Sequence, residues 1–164
     1  MNRSTRKEIG RLSLLLLVVY AGIVIYFVLF SDRLGRTDGY STYRYNLVLL
    51  DEIRRFIRYR ESVSVGAFVL NMLGNLLVFF PAGFLIPLWR EKKTGVFRIL
   101  IHCFLFSLGI ELLQLATRVG VFDVDDLLLN TLGGLLGYVS YRILLSIYHY
   151  LTYSREKRRK EEAK

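Results

Sequence analysis

The sequence predicts an all-α integral membrane protein with four transmembrane helices and an external amphipathic helix between the first and the second. Three observations predict it. Apolar residues make up 53% of the 164 residues and the mean hydropathy is +0.36, too greasy for an ordinary soluble domain. The excess is gathered into four long apolar runs. The basic residues behind the net charge of +9 collect at the chain ends and in one short loop, as membrane topology requires, so nucleic-acid binding is not expected. The lone cysteine, Cys103, lies within an apolar run, which excludes an internal disulfide and leaves the thiol as a small hydrophobe.

The first span, residues 12–30, follows a basic start with Arg3, Arg6, Lys7 and Arg11. It is long for a signal-peptide core and ends in LFSDR, with no small-x-small cleavage site, so it is expected to remain as an anchor. Residues 31–65 form the longest polar segment. After a turn-prone start, SDRLGRTDGYST, the stretch YNLVLLDEIRRFIRYRES places Leu49 or Leu50, Ile53, Phe56 and Ile57 opposite Asp51, Arg54, Arg55 and Arg58, the pattern of a helix lying on the membrane surface. Its arginines either anchor the helix at the interface or hold phosphates.

The second span, residues 66–89, carries Asn71 and Asn75 on one face, and Pro81 predicts a kink near Leu77. The basic loop with Arg90, Lys92 and Lys93 leads to the third span, residues 96–117; the fourth covers 127–151 and ends in a charged tail, 154–164, expected to be a solvated or frayed helix end. Gly133 and Gly137 form a small-xxx-small face for close helix packing. His102 and Arg142 fall toward the other membrane face and are read as packed and snorkelling residues.

The stretch GIELLQLATRVGVFDVDDLLLNTLGG, from Gly109 to Gly134, breaks this apolar pattern. Glu111, Gln114 and Arg118 are spaced i, i+3, i+7, and Asp123, Asp126 and Asn130 repeat that spacing beyond a short loop, so two polar faces meet at one hairpin. A carboxylate in a bilayer is costly unless it faces a partner or a wet cavity, which marks Glu111 as a functional-site candidate. The positive-inside rule puts both termini in the cytoplasm and the long polar segment outside. Glu111 then lies about 10 Å below the outer boundary by helical rise, level with Asn71 and Asn75. The expected centre of the site is Glu111 coupled to Arg118 through Gln114, Asp123 or Asp126, with the two charged residues acting as one unit.

NLVLL, GNLLVFFPAGFLIP, IELLQ and R-x-x-x-FDVDDLLLNTLGGLLGY, in this order and spacing, resemble the VanZ-like family of bacterial membrane proteins over roughly residues 43–140. The resemblance singles out Asn46, Asn75, Glu111, Gln114, Arg118, Asp123, Asp126 and Asn130. This chain reads Asn46-Leu-Val-Leu-Leu where the family often has Asn-Leu-x-Pro-Phe. The resemblance implies an envelope role linked to resistance to teicoplanin-type glycopeptides in the bacterial plasma membrane.

Three functions follow as expectations. The first is a binding protein that alters the handling of glycopeptides or lipid-linked cell-wall intermediates at the outer leaflet, through Asn71, Asn75, Glu111, Gln114, Arg118, Asp123, Asp126 and Asn130. The second is a membrane-embedded hydrolase or transferase with Glu111, Asp123 and Asp126 as acid–base candidates. The third is a structural or accessory subunit whose charges satisfy one another. The chain has no HExxH, GxSxG, P-loop or Cys/His metal spacing, and DVDD lacks the later Gly and Glu of a calcium loop, so no metal or other cofactor is assigned. The expected partners are membrane lipid and a lipid-linked precursor or glycopeptide.

Overall fold

A computed structural model describes residues 3–30, 42–59, 65–90 and 94–162; most of the turn-prone start of the polar segment, and Lys92 and Lys93 of the basic loop, lie outside the described residues. Its elements are α1 (Arg3–Phe30), β1 (Tyr45–Asn46), α2 (Asp51–Arg58), α3 (Val65–Trp89), α4 (Val96–Thr117), β2 (Phe122–Asp123) and α5 (Val124–Glu162). Among the described residues, α1, α3, α4 and α5 are long and apolar enough to cross a membrane. Pro81 and Pro87 both lie inside α3, which runs on to Trp89. The charged tail continues α5 as helix to Glu162, with Lys157 and Glu161 paired across one turn at 3.9 Å.

The expected glycine face is the main seam of the bundle. A Cβ on Gly133 would collide with the Leu76 carbonyl of α3, one on Gly137 with the Phe80 carbonyl, and one on Gly83 with the Gly134 carbonyl. Glycine at these places lets the backbones of α3 and α5 touch, which supplies the close packing that apolar burial cannot drive between helices in lipid. Gly134 leaves room on its other side for Cys103 Sγ, so the buried thiol is the knob by which α4 meets α5. Around this seam lie Phe79, Ala82, Ile86, Ile99, Ile110 and Tyr138. Helix α1 leans on α3 from outside, where the Tyr20 hydroxyl donates to the Val78 carbonyl at 2.6 Å and Gly10 sits against Trp89.

These contacts set the two ends of the bundle. The tail end holds the basic start of α1, Arg90, Arg98 and the charged end of α5. There Arg90 Nη1 and His102 Nε2 are 3.4 Å apart, and Arg142 donates to the Tyr138 hydroxyl, which donates to the Thr94 carbonyl at 3.1 Å. The other end is closed by a two-stranded parallel pair, Tyr45 opposite Phe122 and Asn46 opposite Asp123. This pair corrects the expected helix. Only Asp51–Arg58 is helical, because Asp123 holds the Asn46 side chain and Asp125 holds the Leu50 N–H, and Leu50 stands in the left-handed region at φ 61°. What remains of the amphipathic helix lies against the top of α3, with the Phe56 and Phe68 rings stacked at 4.2 Å.

Candidate functional site

The paired end gathers polar residues of five elements, β1, α3, α4, β2 and α5. Glu111 is 2% exposed, and its Oε2 accepts the Asp123 backbone N–H at 2.9 Å, so the acid of α4 holds the first residue of the turn into α5. The Asp123 carboxylate caps that helix by accepting the Asp125 N–H at 2.8 Å, and it also receives the Asn46 amide at 3.1 and 3.2 Å. Asn75 of α3 donates to Asp126 Oδ1. One turn further into the bundle, Asn130 Nδ2 donates to Ser107 Oγ at 2.8 Å, and Asn130 Oδ1 is buried without a hydrogen-bond partner.

The result is a column of acceptors down the α4–α5 seam. Ser107 and Glu111 share one face of α4, Asp126 and Asn130 one face of α5, each a turn apart. The carboxylates of Asp123 and Asp126 are near enough to Glu111 to repel it. Its described partner and those of Asp123 are neutral N–H donors, and Arg55 acts on Asp123 only through its charge. Burial foremost, with the nearby Asp125 carboxylate adding to it, raises the Asp123 carboxyl above its ordinary range, against the N–H donors and Arg55, which pull it down. In chemical terms the column accepts hydrogen bonds or protons.

Arg118 stands apart from this column. It closes α4 in the left-handed region at φ 57°, where its N–H meets the Leu115 carbonyl and the Val119 N–H meets the Gln114 carbonyl, the arrangement that usually takes glycine. An arginine there costs about 1 kcal/mol that glycine would avoid. Its guanidinium lies 4.5 Å from the centre of the Tyr43 ring and Nη2 donates to the Tyr43 hydroxyl at 3.2 Å. That bond and the positive charge lower the pKa of the exposed Tyr43 hydroxyl. The hydrogen bond described for Arg118 goes to Tyr43, and the one described for Glu111 comes from the Asp123 N–H, so the two are not in direct contact among the described residues. Gln114 does not bridge the two, its side chain being packed against Gly120. Asn71 lies on the exposed side of α3.

The structure thus brings together Asn75, Glu111, Asp123, Asp126 and Asn130 of the expected site, with the Asn46 that the resemblance singled out. It adds three residues to them. Ser107 is legible as one turn from Glu111 on the same face, whereas the roles of Asp125 and Tyr43 depend on a strand pair that has no sequence periodicity.

The profile of the VanZ/LLP1 family matches residues 17–145, from within α1 to within α5. The chain belongs to that family. The match reaches further toward the N-terminus than the motifs between 43 and 140, and takes in the second half of α1. Protein VanZ of Enterococcus faecium is 28% identical over 123 residues, covering 74% of this chain and 68% of that protein. No solved structure matches the chain.

Proposed function

We propose that this VanZ/LLP1 protein acts at the outer leaflet of the bacterial plasma membrane, by binding, on the handling of teicoplanin-type glycopeptides or of the lipid-linked cell-wall intermediates they recognise. The observation that carries binding over chemistry is the occupancy of the acids. Glu111 Oε2 and both Asp123 oxygens are taken by N–H donors of the protein itself, so these groups hold the paired end in shape. Arg118 is the group left to meet a ligand: it is exposed, keeps an unfavourable backbone conformation, and gives Tyr43 only one of its five donors. Membership of the family and the similarity to Protein VanZ support the glycopeptide link.

A second reading rests on a different observation. The Asp123 and Asp126 carboxylates lie close enough to Glu111 to repel it across the α4–α5 seam, and grouped carboxylates are what acid–base work on a cell-envelope substrate requires. Mass spectrometry of a lipid-linked precursor or of teicoplanin incubated with the reconstituted protein separates the readings. Unaltered compound, with lowered teicoplanin susceptibility in an expressing host, is the result expected; a new product lost in Glu111→Gln would establish the enzyme instead.

Orientation is tested separately. Among the described residues, Lys7, Lys157 and Lys160, with Arg6, Arg11, Arg90 and Arg98, fall at the tail end of the bundle, which supports a cytoplasmic position for both termini. A cysteine at Thr42 should react with an impermeant reagent in intact cells, and terminal tags should be reached only after permeabilisation. Labelling of the tail in intact cells would invert the orientation.

A further inference from the structure

Between β1 and α2 the chain carries four large aliphatic residues in a row, and all four are turned outward: Leu47 is 64% exposed, Val48 50%, Leu49 52% and Leu50 41%. This segment is held from behind. The Val48 N–H donates to Asn46 Oδ1 at 3.0 Å, the Asn46 amide donates to both oxygens of Asp123, and the Leu50 N–H donates to Asp125 Oδ1. Polar groups at the foot of α5 thus fix the backbone and leave the aliphatic side chains pointing away from the protein. In water, four adjacent exposed aliphatics are unfavourable in proportion to their apolar area. Against hydrocarbon they carry no such penalty.

The bonds to Asp123 and Asp125 hold the segment level with the first turn of α5, at the boundary of the membrane-spanning part. Phe56 stacks on Phe68, which precedes Val69 and Leu70, two exposed apolar residues of the spanning helix α3. The stack thus ties α2, which follows the aliphatic edge directly, to a spanning helix with exposed apolar residues. Arg54 and Arg58, both exposed, follow it one and two turns into α2, as basic residues flank an apolar face at a membrane surface.

We propose that Leu47–Leu50 is a membrane-dipping segment, seated among lipid acyl chains at the edge of the bilayer and pinned there by Asp123 and Asp125. It places the polar column one short loop away from the lipid phase, whichever ligand that column serves.

Fluorescence quenching tests this in the full-length protein. Trp89 is the only tryptophan, so Leu49→Trp in a Trp89→Phe background reports on the segment alone. The protein is reconstituted in vesicles of phosphatidylcholine and phosphatidylglycerol, with or without bromine on the acyl chains, and titrated with aqueous iodide. Bromolipid should remove most of the emission and iodide little of it, and adding Asp125→Ala should reverse that order. Strong iodide quenching with weak bromolipid quenching would place the segment in water and overturn the proposal. Protection from both quenchers would mean a protein partner, such as a second copy, and would overturn it as well; unchanged bromolipid quenching in Asp125→Ala would overturn the pinning. Leu70→Trp in the same background verifies reconstitution, and Leu47→Trp replaces Leu49→Trp if that variant does not fold.

Discussion

Replacing Glu111 by alanine and by glutamine distinguishes what its shape does from what its charge does. Alanine leaves the Asp123 N–H, now 2.9 Å from Oε2, without an acceptor in a place where Glu111 itself is 2% exposed. An orphaned buried donor costs about 1–3 kcal/mol, and the lost packing of the side chain adds about 1 kcal/mol. At about 2–4 °C per kcal/mol for a chain of this size, Glu111→Ala should lower the apparent melting temperature by roughly 5–15 °C. Glutamine keeps the methylenes and an amide oxygen in the same position, so Glu111→Gln should cost less than about 1 kcal/mol. The assay is thermal unfolding in detergent, paired with teicoplanin susceptibility at matched membrane levels. A glutamine variant as unstable as the alanine one, or an alanine variant melting with the wild type, would refute the role given to the Asp123 N–H. A glutamine variant that is stable but inactive would show that function needs an ionisable group.

Arg118→Gly should raise the melting temperature by the equivalent of about 1 kcal/mol, because glycine suits the left-handed end of α4, while teicoplanin protection falls. In the same variant the Tyr43 hydroxyl, followed by NMR with labelled tyrosine, should titrate nearer an ordinary tyrosine; because its folded pKa is lowered, the ionic part of its pairing with Arg118 exists only at high pH and is lost as pH falls through that pKa. Asp123 has the opposite sign. Its folded pKa is raised, so wild-type stability should fall as pH rises from the ordinary aspartate value through the raised one, and Asp123→Asn, which can still cap α5, should flatten the melting temperature across that window. Gly83→Val should abolish recovery of monodisperse protein, since its side chain would enter the Gly134 carbonyl, whereas Gly22→Val, with open space around it, should purify normally by size-exclusion chromatography.

The spans were legible because runs of uncharged apolar residues declare themselves, and Gly133 and Gly137 declared a close-packing face on the fourth span by their spacing, while only the structure shows that α3 meets it. Helical periodicity also placed Glu111 on one face of α4, and Asp126 and Asn130 together on α5, where the structure has them. It failed where the backbone leaves the helix. Two-residue strands carry no period, so Tyr45–Asn46 read as the start of an amphipathic helix, and Asp125 falls outside the i, i+3, i+7 spacing that singled out Asp123, Asp126 and Asn130. Arg118 was misplaced for a related reason. Counting seven residues along a helix puts it on the face of Glu111, two turns nearer the outer end, but the last of those steps is a left-handed turn that swings the guanidinium to Tyr43.

Contact between the main chains of α3 and α5 has a mechanical meaning. Where Gly83, Gly133 and Gly137 interlock with facing carbonyls, a small slide or roll of one helix drives atom into atom, so the two behave as a single strut. Asn75 and Asp126, one on each half of that strut, keep a fixed separation. Helix α4 is different: beside the Ser107–Asn130 bond and the Phe106–Phe79 ring contact, it meets the strut most closely through the Cys103 thiol sulfur at Gly134, a softer bearing than backbone on backbone. The softer seam of the column is thus the α4 side, where a bulkier residue at 103 would press on Gly134 and push α4 away from the strut without touching the α3–α5 contact.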